Sequence, residues 1–80
     1  MNTLEILKKD YPNENLKMID GYDDCVMGIE IPSMRIIYSV DKIVQKLSET
    51  MEENDAIDFY YTHINTIDLD EKTPIFCHEF

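Results

Sequence analysis

The 80-residue chain holds 17 Asp and Glu against 7 Lys and Arg, which gives a net charge of -10 at pH 7, and 44% of its residues are hydrophobic. That composition is globular and fits one domain, residues 1–80, and no apolar run approaches the roughly 18 residues of a membrane span. The charge argues against direct binding to nucleic acid or to an anionic membrane, since both require a basic surface.

Met1 to Asp10 opens on polar residues without the long apolar stretch of a secretory signal, so a cytosolic setting is expected. There Cys25 and Cys77 are expected to be reduced and to serve as small buried hydrophobes. Thr3 to Lys9 carries Leu4 and Leu7 three apart, with lysines at its end, and reads as a short helix stopped before Pro12. Pro12-Asn13-Glu14-Asn15 is a turn by composition, Leu16 to Ile19 is a candidate edge strand beside the next one, and Asp20-Gly21 is a turn dipeptide. Tyr22-Asp23-Asp24 then leads into the first core strand.

From Cys25 to Ile31 the residues Cys25, Met27, Ile29 and Ile31 alternate with Val26, Gly28 and Glu30, the period of a strand with one buried face. Pro32-Ser33-Met34 makes a hairpin turn into a second strand, Arg35 to Tyr38. Ser39 stands at an N-cap, and Val40, Ile43, Val44, Leu47 and Met51 follow at helical spacing, with Lys42, Gln45, Lys46 and Glu49 on the opposite side. The expected core is Ile29, Ile31, Ile37, Val44 and Leu47. Asn54 is a candidate cap for another helix, whose inner face would be Ala56, Ile57, Tyr60, Tyr61 and Ile64, with Phe59 at its edge. Asn65 to Lys72 connects, with Ile67 and Leu69 able to form a short strand, and Thr73 to Cys77 closes the chain as a β segment that Pro74 places at a start or an edge. The fold class is α+β: a small antiparallel sheet of three or four strands with two or three helices packed on one face.

No motif here carries catalysis, a cofactor or a metal. Asp20, Asp23 and Asp24 lack the spacing and central glycine of a calcium loop, and Cys25, His63, Cys77 and His78 lack zinc-ligand spacing. Gly21 and Gly28 are too few and too far apart for a phosphate loop. Phe59-Tyr60-Tyr61 cannot all point inward from one helix, so at least one ring is expected at the surface, where it could anchor a partner. The acids are the most informative pattern. Glu49, Glu52, Glu53, Asp55, Asp58, Asp68, Asp70 and Glu71 follow one another without an intervening Lys or Arg, either as a solvated face or as a surface complementary to a basic patch.

Four segments, Asp23-Asp24-Cys25-Val26-Met27-Gly28, Tyr38-Ser39-Val40-Asp41-Lys42-Ile43, Asp55-Ala56-Ile57-Asp58-Phe59-Tyr60 and Glu71-Lys72-Thr73-Pro74-Ile75-Phe76, resemble a group of small, mostly uncharacterised bacteriophage proteins. The resemblance covers Gly21 to Phe76. It implies a phage origin and action in a host bacterial cytoplasm, and it transfers no functional residue. With the charge pattern, it leads to the expectation of a non-enzymatic protein that binds a host protein with a basic surface and inhibits a defence or nucleic-acid-handling machine, in the anti-CRISPR or anti-restriction manner. The partner-binding residues would be the eight acids with Phe59 and Tyr60. Rival readings are an oligomer that sequesters a nucleotide immune signal and an inert phage accessory component; homo-oligomerisation is compatible with each.

Overall fold

The computed structural model describes residues 2–14 and 16–78, apart from the side chain of Asp70. Asn15 of the expected first turn lies outside the described residues. Helix α1 (Thr3–Asp10) starts on a reciprocal cap, in which Asn2 Oδ1 accepts from the Glu5 N–H at 2.9 Å and the Glu5 carboxylate accepts from the Asn2 N–H. Two orphan donors are satisfied this way, and Leu4 and Leu7 turn inward.

Residues 16–19 do not form the expected edge strand. Leu16 is buried in the core, and the Ile19 N–H donates to Tyr38 Oη at 2.8 Å, so a side chain holds this segment where a ladder was expected. The Asp20-Gly21 turn is present, and Gly21 has φ +89°, a region open to glycine at no steric cost. One 3₁₀ turn, Asp23–Cys25, then buries Cys25.

Strands β1 (Val26–Glu30) and β2 (Arg35–Ser39) form the expected antiparallel hairpin. Its inward face differs from the simple alternation, because the register shifts between Val26 and Gly28. The extra residue, Met27, changes the phase, so Val26 is fully buried and Ile29 packs against the core while Met27 is exposed. Ile31 leaves the core altogether. It is 68% exposed, because the turn already begins there and continues through the cis Pro32 to Met34. In β2 the inward residues are Ile36 and Tyr38, both 0% exposed, and Ile37 is half-buried on the other face beside Ile75. Two consecutive isoleucines do not declare which of them faces in.

Helix α2 (Val40–Leu47) begins at Ser39, whose hydroxyl accepts from the Lys42 N–H at 3.2 Å. Val40, Ile43 and Leu47 are buried and Val44 and Met51 partly so; the helix ends before Met51 in a turn over residues 48–50. Helix α3 (Glu53–Phe59) starts one residue ahead of Asn54, with Glu52 in the cap position and no side-chain cap. It continues as a π-helical turn, Tyr60–Ile64, closed by the Asn65 N–H donating to the Tyr60 carbonyl at 2.8 Å. Ile67 and Leu69 do not form a strand; the Leu69 N–H donates to Thr73 Oγ1, and a 3₁₀ turn, Asp70–Lys72, leads to β3 (Ile75–Cys77).

The sheet order is β1-β2-β3, and β3 runs parallel to β2 where an antiparallel neighbour was expected. The two helices between them make a crossover, and a crossover returns the chain in the same direction. Arg35 Nε donates to the Thr73 carbonyl at 2.6 Å and Lys72 Nζ to that of Ser33, tying the entry of β3 to the hairpin. Residues of α1, α2 and α3 share one buried cluster with Val26, Ile36 and Tyr38, so the helices cover one face of the sheet, as an α+β fold requires.

Leu47→Ala is expected to cost about 2–5 kcal/mol, whereas Ile31→Ser should stay within about 0.5 kcal/mol, both read by urea unfolding. Comparable losses at both positions would contradict the placement of Ile31 in the exposed turn. Tyr38→Phe leaves the Ile19 N–H without its acceptor and is expected to cost about 1–3 kcal/mol. Amide exchange at Ile19 should accelerate in this variant before it does at β2.

Candidate functional site

The corner where α2 turns into α3 is built by local hydrogen bonds. Ser48 Oγ donates to the Val44 carbonyl at 2.8 Å and Thr50 Oγ1 to that of Leu47 at 3.2 Å, each adding to the backbone N–H that the same carbonyl already accepts. Ala56, 0% exposed, lets α3 approach closely. Between the helices lies a cleft of about 480 Å³, within the size range of ligand sites. Val40, Val44, Ile57 and Tyr60 give it apolar walls. Its polar groups are Asp41, Gln45 and Ser48 from α2, Glu53 from α3, exposed Tyr61, and His78, which follows β3. His78 Nδ1 lies 3.7 Å from Asp41 Oδ1.

The aromatic run divides as helical geometry demands. Tyr60 is buried, its hydroxyl donates to Asn65 Oδ1 at 3.0 Å, and burial, with Tyr61 beside it, pushes its pKa up to about 12, so it is a neutral phenol at physiological pH. Phe59 is partly buried and packs against His63 with ring centroids 4.6 Å apart and the planes tilted by 46°. Tyr61, expected on the inner face with Tyr60, is instead 52% exposed and meets Tyr60 edge-on with centroids 5.0 Å apart. A π turn rotates successive residues by less than an α turn does, and two adjacent tyrosines thereby share one cleft.

The acids that form one run in the sequence occupy three places. Glu49 shares a depression with Asp24, Lys42 and Lys46. Asp68 and Glu71 share another with Lys17 and Lys72, and Asp68 Oδ1 accepts from Thr73 Oγ1 at 3.3 Å. Asp70 belongs to the 3₁₀ turn, and its side chain is outside the described residues. Glu52, Glu53, Asp55 and Asp58 remain together at the α3 end of the corner, all exposed, and the lysines of the other two depressions do not line the cleft beside them. The helix dipole favours Glu53 and Asp55 in the first turn.

The sequence reading did not single out Asp41, Gln45, Ser48, Ile57 or His78 as site residues. Asp41, Gln45 and Ser48 recur at helical spacing, a signal available in principle; His78 reaches the cleft only because β3 lies beside β2. Helix α2 thus has two polar stripes, a basic one of Lys42 and Lys46 toward Asp24 and another, without a base, toward the cleft. Cys25 is buried, with its pKa pushed up to about 11 by burial and by Asp24, while Cys77 is exposed at the end of β3, contrary to the expectation that both would be buried. Among the described residues no three of His, Cys, Asp and Glu converge as metal ligands. No protein-family model, curated protein or solved structure matches the chain.

Lys46 Nζ contacts both Asp24 oxygens, at 3.0 and 3.3 Å. This hydrogen bond is the chief reason the Asp24 carboxyl lies below its ordinary value and the Lys46 ammonium above its own. A lowered carboxyl pKa adds stability that is lost as pH falls through the folded value; a raised ammonium pKa adds stability that is lost as pH rises through its folded value. Asp24→Asn should therefore be slightly less stable than the parent at neutral pH, the small difference being that of an exposed pair. The gap should close below the ordinary aspartate pKa of about 3.9 and above the lysine value of about 10.4, as read by unfolding across pH.

Proposed function

We propose that this chain is a stoichiometric binding protein whose acidic α2–α3 corner docks on a basic surface of a host protein. The supporting observation is the segregation of charge. Glu52, Glu53, Asp55 and Asp58 stand exposed together, while Lys46 and Lys72 are engaged with Asp24 and Glu14 elsewhere. Crowded carboxylates on a small domain repel one another and weaken the fold, and complementary charge on a partner turns the same field into faster association. The resemblance to phage proteins adds the setting: a bacterial cytoplasm, where a defence or nucleic-acid-handling enzyme offers a groove made for phosphates. In that form the protein is an inhibitor of the anti-CRISPR or anti-restriction type.

Sequestration of a nucleotide signal has less support. Phosphates would need cations, and Arg35, Lys46 and Lys72 already hold the Thr73 carbonyl, Asp24 and the Ser33 carbonyl respectively. The cleft itself carries Asp41 and Glu53.

The test begins with the host protein that the chain retains from bacterial lysate. Reversing Glu52, Glu53, Asp55 and Asp58 to Lys is expected to slow association by roughly tenfold or more at low salt, with the fold intact by circular dichroism. Reversing Asp10 and Glu14 should change it little. Added salt should weaken the parent complex over the range where the screening length falls to about 8 Å. Unchanged association in the four-site variant defeats the electrostatic reading.

A further inference from the structure

The cleft between α2 and α3 differs from the acidic corner beside it in having walls, an exposed aromatic ring and acceptors on two helices. We infer that it receives the guanidinium of an arginine presented by the basic partner, an inference that rests on the docking proposed above and names the side chain it reads. The charge of the cleft fits a cation: Glu53 lies on α3 and Asp41 on α2, where it already faces His78 at 3.7 Å, and among the described residues no Lys or Arg contributes to the lining. The lysines of α2 are on its other stripe, with Lys46 held against Asp24.

The choice of arginine follows from the shape of the acceptor set. The Gln45 amide oxygen and the Ser48 hydroxyl, whose proton goes to the Val44 carbonyl, add neutral acceptors to the same lining. A planar group with five donors in a fixed fork can address several of these at once, whereas an ammonium is a point charge. Tyr61, 52% exposed and braced edge-on by Tyr60, offers a ring face for the guanidinium plane, and Val44 and Ile57 accommodate its methylenes. A protein side chain is the source the surroundings favour over a free small cation. Glu52, Asp55 and Asp58 extend the acidic surface beyond Glu53, which a lone ligand in the cleft would not touch.

Three blocked peptides serve as probes: an arginine-rich one, its lysine-for-arginine counterpart and its citrulline-for-arginine counterpart, which is nearly isosteric with the first but uncharged. Binding to the intact chain is followed by amide chemical shifts. The arginine peptide is expected to bind more tightly than the lysine peptide, to move the amides of Gln45, Ile57, Tyr61 and His78, and to outcompete the citrulline peptide entirely. Tyr61→Ala should weaken the arginine peptide by roughly 3- to 10-fold and draw the two cationic peptides toward equal affinity. Glu53→Gln should weaken both, and the surface position of these two residues keeps the fold out of question. Equal affinities for arginine and lysine, with shifts confined to Glu52, Asp55 and Asp58 and no effect of Tyr61→Ala, would overturn the arginine cleft and leave the acidic docking reading standing. Conversely, an arginine preference in the cleft alongside unchanged host-protein association in the four-site reversal would retain the cleft chemistry and remove the docking surface. Failure of both cationic peptides to bind would reject the cleft.

Discussion

The fold depends on one buried side chain in the central strand. Tyr38 is 0% exposed, is paired with Val26 of β1 and Phe76 of β3, and uses its hydroxyl to hold the backbone of Ile19. Burial raises its pKa, foremost among several influences, so the group stays a neutral phenol, able to accept that N–H and still donate its own proton. A domain of this size has little apolar surface to bury, and a single ring that joins all three strands and a connecting segment does the work of a larger core. Residues 16–19 need no strand partner as long as Tyr38 is in place.

Placement of charge follows from the same economy of structure. Three of the cations bind locally, Lys46 to Asp24, Arg35 to the Thr73 carbonyl, and Lys72 to Glu14 and the Ser33 carbonyl, and Lys42 lines the depression beside Asp24. What remains on the α2–α3 corner is negative. Individual surface pairs of this kind add little stability, so their main effect is to set where the unbalanced field points.

The cleft and the corner are two parts of one surface with different physics. In the proposed docking the corner would act at long range and be screened by salt, and the cleft would act at contact, with Tyr61, Asp41 and Glu53 in its lining. Both rest on the short connection through Ser48 and Thr50, whose backbone N–H groups and hydroxyls donate to carbonyls at the end of α2. The π turn at Tyr60 then determines which aromatic ring is presented. Glu53 at the start of α3 and Tyr61 eight residues on become walls of the same cleft.

Local signals were legible without coordinates: the Ser39 cap, the apolar stripe of α2, the hairpin turn, the Asp20-Gly21 turn and a surface ring in Phe59-Tyr60-Tyr61 each follow from residue type and spacing. The α+β class followed from their order. Phase and direction did not, because the extra residue at Met27 inverts an alternation that reads the same either way, and β3 owes its parallel sense to the helices before it. The acidic run was visible as a run, with Lys46 and Lys72 flanking its two ends in the sequence, yet only folding brings Lys17 to Asp68 and Glu71 and Asp24 to Glu49. For the same reason His78 and Asp41 could not be paired from their positions: residues 37 apart in sequence meet where β3 docks beside the strand that α2 leaves, and the sequence records no trace of that contact.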